Sequence, residues 1–588
     1  MEAAGLGLGI VATVVELYKV IEGAYALYLE VKHFRSTYHE LYLCMEIERW
    51  RFKLWGRHVL SESHQEEAKS SPSELKLFEL FESILQNVRR TFSDASDVME
   101  TYSEQALSER KNGRHDSPGS GNDRVNELSI DDITISPRPQ KRSAIPNLLK
   151  TVKFVLKDED KLEKLVKKLS KWNDSLDKMT SRLDQESARR QLRTRFSTND
   201  SEQLQRLELA AALLQHRDIE SMASTRSLIE EGRRKESCDE EGFKILRAPS
   251  SYHLEIEDLS YEGNPYKTET NRATAIYRGE SVIIDWRACR DDTWRKENPG
   301  EFRLRTENLA KVLNSDLQPL NLSVLHCVGY LDRSTHVTGY AFRPPQDSKP
   351  GQKPVSLHEV LAKSTKAKDI ADLGERFKLA QALVSTIFEI HNLGWLHKNL
   401  HPKNILFWPK SSTEKDPNLD KPYIVGFDVA RLNRPDEMSE KPQTGMEEEL
   451  YRHPEYKGEN PKSFLPSYDF YSLGVILFEI GMWRTVASQG RHGRSQLRPP
   501  SPYRSASPVP HSSDIIDPRY VEEVVMHGPV MDLKRYMGSR YRDAVVACLN
   551  KDLDSLWEDE NADPSEQLPV YLGAVQSQIL DPIAQCNA

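Results

Sequence analysis

Side chains able to do chemistry gather between His397 and Asp428 of this 588-residue chain. The run His397-Lys398-Asn399-Leu400-His401-Pro402-Lys403-Asn404 supplies imidazole, ammonium and amide groups, and Gly426-Phe427-Asp428 adds one carboxylate. Moving a phosphoryl group needs a carboxylate to accept the hydroxyl proton and a second to hold Mg2+ against the phosphates. Asn399 cannot take up a proton near neutral pH, and a lost general base costs roughly 10²–10⁴-fold in rate. Gly426 has no side-chain ligand atom. Asp428 lies two residues later, about 7 Å of extended chain away, and Asn404 as a lone amide holds Mg2+ poorly. The set lacks both its proton acceptor and its metal carboxylate.

Four segments in fixed order give these residues a context. His397 to Leu406 resembles the protein kinase catalytic loop, H-R-D-L-x-x-x-N, and Ile424 to Arg431 stands where the D-F-G segment falls. Tyr451-Arg452-His453-Pro454-Glu455 resembles the A-P-E element, and Tyr468-Asp469-Phe470-Tyr471-Ser472-Leu473-Gly474 the start of the buried C-lobe helix. The resemblance implies an α+β bilobal kinase-like domain with structural roles for Pro454, Glu455, Asp469 and Gly474. It leaves no intact catalytic residue at His397, Lys398, Asn399, Asn404, Gly426, Phe427 or Asp428. Lys398 replaces an arginine, a point charge in place of a bidentate fork. Upstream, Thr274–Tyr277 and Ser281–Trp286 read as a strand pair turning at Arg278-Gly279-Glu280. No G-x-G-x-x-G precedes them, and Asp285 stands at the expected lysine position, with Arg287 on the same strand face. Leu304–Leu313 reads as a helix in which Glu307 matches the ion-pair glutamate. Strands follow at Leu325–Tyr330 and Thr338–Phe342, then a helix opened by Ser356-Leu357-His358-Glu359 and another over Arg376–Asn392. No cofactor is expected; weak ATP binding without turnover is compatible with the cleft. The reading leans away from an enzyme; if active, it would be a Ser/Thr kinase.

Other features bound the rest of the chain. A net charge of −9 and pI near 6.1 exclude a nucleic-acid binder by bulk electrostatics. The cysteines, Cys44, Cys238, Cys289, Cys327, Cys548 and Cys586, form no C-x-x-C pair, which argues against zinc and a disulfide framework and fits a reducing compartment. No stretch reaches the ~18–20 apolar residues of a membrane-spanning helix. Yet Ala3 to Val15 carries no charge, and glycines at 5, 7 and 9 cost roughly 1 kcal/mol each in a helix relative to alanine.

Helical periodicity then runs through the first 230 residues without a β signal. Leu27, Val31, Phe34, Tyr38, Leu41, Met45, Trp50, Leu54 and Trp55 form one apolar face, and Leu75 to Phe92 another. Ile145–Leu183 turns Leu148, Val152, Val155, Leu162, Leu165, Leu169 and Trp172 inward. Its opposite face is lysine-rich, from Lys150 to Lys171. A last helix is expected over about 200–229. The start Met-Glu-Ala-Ala-Gly-Leu-Gly-Leu-Gly-Ile, residues 41–56 and Phe154-Val155-Leu156-Lys157-Asp158 resemble the HeLo (Het-s/LopB) domain of filamentous fungi. That family is implicated in prion inhibition and propagation and in programmed cell death. Its members are understood to act by inserting the N-terminal helix into membranes, which implies a membrane-active segment at Leu6, Leu8, Ile10, Val11, Val14 and Val15. Joined to a degenerate kinase, the layout is similar to the mixed-lineage-kinase-like necroptosis protein of animals, by analogy.

The expected organisation is a multi-domain chain: an all-α helical bundle over 1–230 with a loop at 108–143, a linker at 231–270, and a kinase-like domain over 271–588 with an insertion at 484–513. The expected function is a cell-death or heterokaryon-incompatibility effector regulated by a pseudokinase. An atypical active kinase and a non-catalytic signalling scaffold are the alternatives. Self-oligomerisation and an anionic membrane surface are the expected partners, with an upstream receptor unspecified and no nucleic acid. The expected location is cytoplasmic, with recruitment to the plasma membrane.

Overall fold

The computed structural model describes residues 2–29, 39–60, 78–92, 159–237, 252–261, 272–288, 299–314, 322–364, 369–409, 416–434, 448–457, 462–488 and 528–587, with gaps at 199, 335–336, 349–351 and 558–563, and also residues 76, 366 and 521. The 108–143 loop, residues 489–513 of the insertion and Lys150, Lys153 and Lys157 lie outside them. The chain divides into two compact units. One comprises Met1–Leu192 and Leu209–His216, the other Arg193–Glu208 and Arg217–Ala588. This division departs from the boundary expected at 230. Residues 193–208 and 217–230 belong with the C-terminal unit, and the expected linker begins as helix to Ser237 and contains a short strand at Leu259–Tyr261.

The N-terminal unit is built from α1 (Glu2–Leu29), α2 (His39–Val59), a helical stretch at 78–92, α3 (Glu159–Asp177), most of α4 (Arg182–Arg195) and the end of α5 (Ser201–Leu214). α4 is separate from α3 because the chain turns at Lys178–Thr180, so the single helix expected over 145–183 ends at Asp177. Apolar residues at helical spacing on α1 (Val14, Leu17, Ile21, Tyr25) are buried, as that spacing requires of a core face. Aromatic rings fill the centre. Phe52 stacks on Tyr18 at 5.0 Å and on Tyr25 at 5.8 Å, while Tyr25 meets Phe92 edge-on at 5.1 Å. On α3, Leu162, Leu165 and Leu169 are buried as expected, but Trp172 is only half-buried. Lys164, Lys167, Lys168 and Lys171 are exposed.

A polar cluster sits within this core. Glu48 is fully buried, and its carboxylate accepts from Arg51 Nη1 at 3.0 Å, Asn173 Nδ2 at 2.7 Å and His216 Nε2 at 3.0 Å. Arg51 Nη2 also donates to Asp174 and Asp177, each at 2.7 Å. Burial alone would raise the Glu48 pKa, but Arg51, His216 and Asn173 outweigh it and hold it at about 2.

The C-terminal unit includes α6 (Arg217–Ser237), β1 (Leu259–Tyr261), β2 (Arg272–Tyr277), β3 (Glu280–Ala288), α7 (Pro299–Asn314), β4 (Cys327–Ser334) and β5 (Val337–Phe342). Gln215, at φ 61°, ends α5, so the helix expected over 200–229 is two helices. The strands form an antiparallel sheet in the order β1-β2-β3-β5-β4, and α7 packs against β4. Arg278 and Gly279 both have positive φ, the signature of a two-residue hairpin turn. That turn fixes the register and pairs Arg272 with Asp285. Strand alternation then buries Ala273, Ala275, Val282, Ile284 and Trp286 on one face and leaves Arg272 and Asp285 on the other.

A helical half follows. β6 (Val355–Ser356) leads into α8 (Leu357–Lys363), where Ser356 and Glu359 form the capping box their spacing signals. α9 (Leu373–Asn392) delivers the chain to β7 (Trp395–Leu396). After the loop 397–404 come β8 (Ile405–Phe407) and β9 (Tyr423–Ile424); after the loop 425–430 comes β10 (Arg431–Leu432). β7 pairs with β10 and β8 with β9, so both loops are held at each end by a β ribbon. α10 (Pro466–Met482) is buried from Pro466 to Gly481. A Cβ on its Gly474 would come within 2.6 Å of Cys548 Cβ on α12 (Ser539–Leu549), so glycine permits the two helices to touch. α11 (Pro529–Met537), α13 (Pro564–Val575) and α14 (Asp581–Ala584) complete the unit. The four described cysteines, Cys44, Cys327, Cys548 and Cys586, are free and buried.

Glu48 links stability of the N-terminal unit to pH. Its folded pKa lies below the ordinary 4.5, so its contribution is full above about pH 5 and is lost as pH falls towards 2, roughly 3 kcal/mol in all. Glu48→Gln should lower the unfolding midpoint at pH 7, followed by tryptophan fluorescence, and the gap to wild type should narrow as pH falls from 5 towards 2. Equal midpoints at pH 7 would show that the cluster adds no stability.

Candidate functional site

The candidate cleft lies where the loops held by the two β ribbons meet the sheet face that carries Arg272 and Asp285. Its floor is set by Asp469 on α10, which is wholly buried. The carboxylate accepts from His397 N and Lys398 N, both at 2.8 Å, and from His391 Nε2 at 3.0 Å. Burial opposes its charge, but His391 and the loop amides hold its pKa below the usual carboxylate range. Those bonds force the loop into a tight bend, and Lys398 adopts φ 67°. Its Nζ lies 5.8 and 5.5 Å from the ring centres of Tyr456 and Phe464, within cation–π range.

Each remaining residue of the loop then meets a partner inside the cleft. His397 Nε2 faces Val425 O at 3.1 Å and its Nδ1 accepts from Asn399 N at 3.3 Å. Burial lowers its pKa to about 4, so the ring is neutral at pH 7. Phe427 packs beside it, centroids 4.6 Å apart. Asn399 Nδ2 donates to Asp428 Oδ1 at 3.1 Å. Asn404 Nδ2 donates to Asn399 O at 2.8 Å and lies 3.0 Å from His401 Nε2. Burial, with Arg272 and Lys403 nearby, pushes His401 well below its ordinary pKa, so it is a neutral acceptor.

The centre is occupied by an arginine that motif reading does not single out. Arg272 Nη2 donates to Asn404 Oδ1, and Nη1 to Lys403 O at 2.7 Å. Its Nε lies 3.2 Å from Asp285 Oδ1, an ion pair without hydrogen-bond alignment. The other oxygen of Asp285 accepts Gly426 N at 2.9 Å. A closed chain therefore runs from Gly426 N through Asp285 and Arg272 to Asn404. The Arg272–Asp285 pairing was available from the hairpin turn, because counting back from Arg278-Gly279 brings the two residues opposite each other. The contact with Asn404 was not, since it joins residues far apart in sequence.

Other expected positions fall elsewhere. Glu307, expected as the helix's ion-pair glutamate, pairs within its own helix, to Lys311 Nζ at 2.7 Å; the residue beside Asp285 is Arg272, on the neighbouring strand. The Arg287 side chain lies outside the described residues. Pro454 opens a short 3-10 turn, and Glu455 faces Lys462 at 2.7 Å near the surface. On α1, Val11 and Val14 are buried and Val15 is half-buried, while the side chains of Leu6, Leu8 and Ile10 lie outside the described residues. No group of three His, Cys, Asp or Glu side chains suited to a metal ion occurs among the described residues, and none of their helices is long and apolar enough to cross a membrane.

The helices of the N-terminal region define an all-α domain. Residues 5–209 match the HeLo family model, described as prion-inhibition and propagation. HeLo domains are associated with cell death and heterokaryon incompatibility. The matched span ends before the sheet-containing part of the C-terminal unit, and its last residues, 193–208, belong to that unit.

Gly426 leaves no room for a side chain. It sits at φ 85°, and a Cβ there would fall 2.1 Å from Asn404 Nδ2. Gly426→Asp should destabilise the protein by about 1–3 kcal/mol, since a non-glycine residue is strained at that φ and Asn404 is fixed by its own bonds. An unchanged urea midpoint for Gly426→Asp would show that the loop yields freely.

Proposed function

We propose that the chain is a membrane-active effector of the cell-death or heterokaryon-incompatibility type, whose N-terminal helical domain is regulated by a kinase-like domain without catalytic chemistry. The HeLo match over residues 5–209 carries the first half of this reading. The self-satisfied cleft carries the second. In a kinase, a lysine on the third strand holds the nucleotide phosphates; here that position is Asp285, and its charge is met by Arg272. The amide left at the metal position, Asn404, spends its oxygen on Arg272 and its Nδ2 on Asn399. Opening the cleft to a nucleotide would strip Asp285 of its partner and set its charge beside the phosphates. Removing one member of a largely buried pair typically costs about 3–5 kcal/mol. The sheet order, the ribbon-held loops and the Asp469 bonds to the loop amides support the kinase-like reading of the scaffold.

The geometry of α1 supports membrane action through release from the bundle. Its 28 residues make about 42 Å of helix at 1.5 Å per residue, longer than the ~30 Å hydrocarbon core. Glu16 and Lys19 are exposed, and Glu22 pairs with Arg49 at 2.8 Å on α2. The apolar residues Val11, Val14, Leu17 and Ile21 are buried among the other helices. Insertion therefore requires them to leave that core, with several copies shielding the charges. The exposed lysines of α3 would hold the unit to anionic lipid at roughly 1 kcal/mol each near the surface.

Two experiments test the halves separately. Purified protein with Mg2+ or Mn2+ and labelled ATP should show no phosphate transfer beyond background and no ATP-dependent rise in melting temperature. Transfer that disappears in Asp428→Ala would make Asp428 the metal ligand and replace the pseudokinase reading with that of an atypical kinase. For the effector, inducible full-length protein should reduce host viability and release dye from anionic liposomes. Leu8→Glu should abolish both with its melting temperature kept. Undiminished leakage from that variant would remove the insertion mechanism and leave a scaffold.

A further inference from the structure

The C-terminal unit holds a second buried polar assembly, away from the cleft, at the end of α9. Arg193 pairs with Glu389, each side chain 6% exposed, and lies 3.6 Å from Asp218. Arg226 is buried. Its Nη1 donates to Asn392 O and Ser197 Oγ, both at 2.6 Å, and its Nε to Thr198 O at 2.9 Å. Four residues along α6, Glu230 pairs with Arg434, and between them Ile229 enters the main apolar core at 3% exposed.

The places these contacts hold are specific. Asn392 ends α9 and is followed by Leu393-Gly394, β7 and the loop 397–404. Arg434 stands two residues beyond β10, at the exit of the loop 425–430, and Asn433 N donates to Gly394 O at 2.8 Å. Residues 193–198 and α6 thus tie together the two chain segments that enter and leave the cleft. Cations at this point are favoured because the carbonyls ending a helix carry partial negative charge. The contact is close to all-or-none, because undocking either partner leaves the other as an uncompensated buried charge.

We propose that residues 193–208 and 217–237 form a strap whose docking, closed by the Arg193–Glu389 pair, sets the position of the cleft's entering and leaving segments. The strap is part of the C-terminal unit, yet residues 193–208 lie within the span matched by the HeLo family. Displacing it alters the cleft, and altering the cleft loosens the end of the HeLo-matched segment. This coupling stands whether or not the chain acts on membranes.

Amide hydrogen exchange of the full-length protein tests it, using Arg193→Met, Glu389→Met and the double variant. Each single change should speed exchange by about tenfold or more over 201–208 and 217–230 and also over 393–396 and 431–434. The double variant should recover most of the protection, since it removes both charges from the buried site. α2, α3 and α12 should keep wild-type rates. Arg434→Gln, at a more exposed pair, should give the same pattern more weakly if a methionine single variant fails to fold. Faster exchange confined to 193–208 and 217–237 would overturn the proposal, as would a uniform rise that includes α12.

Discussion

Asp469 is the constraint on which the cleft depends. A carboxylate taken wholly out of water is costly unless its oxygens are filled, and here two backbone amides and His391 fill them. Charge-assisted bonds of this kind are roughly twice as strong as neutral ones. They fix where α10 meets the loop 397–404, and so where His397, Asn399, His401 and Asn404 point. The left-handed backbone of Lys398 is held by the same anchor. The loop keeps its shape because of a residue some seventy positions downstream, and it would keep that shape whether or not its own side chains could do chemistry.

Upon that frame the polar groups satisfy one another. Arg272 and Asp285 are neighbours across a hairpin, Gly426 lends its amide to Asp285, and Asn404 accepts from Arg272. Buried polar groups need partners, and those of Asp285, Arg272 and Asn404 come from the chain itself. Asp285, Arg272, Gly426 and Asn404 therefore form one interlocked set. Asp285 calls for a cation, Arg272 supplies it, and Gly426 is needed because Asn404 occupies the space a side chain would take.

The N-terminal unit solves a different problem. Its aromatic centre and the Glu48 cluster hold the helices together, and α1 buries Val11, Val14, Leu17 and Ile21 in the same bundle. The buried half of α1 gains its stability from the core, so any other environment for it must offer comparable apolar burial. A lipid bilayer does so; water does not. The Glu22–Arg49 pair and the Tyr18–Phe52 stack join α1 to α2 and oppose that exchange.

Much of this was legible in the sequence because its causes are short-ranged. The Ser356/Glu359 cap, the helix expected over 376–392 and the hairpin at Arg278-Gly279 each follow from residues a few positions apart. The all-α character of the first region and its HeLo resemblance are of the same kind, being written in periodicity and local motif. What the tertiary structure alone decided are pairings between distant residues, such as Arg272 with Asn404 and Arg193 with Glu389. It also decided that residues 193–208 and 217–237 join the C-terminal unit, and that Glu307 serves its own helix. A helical pattern reports that one face will be buried but not against what. The partner is chosen when burial makes an unpaired charge costly, and that cost exists only once the fold has excluded water.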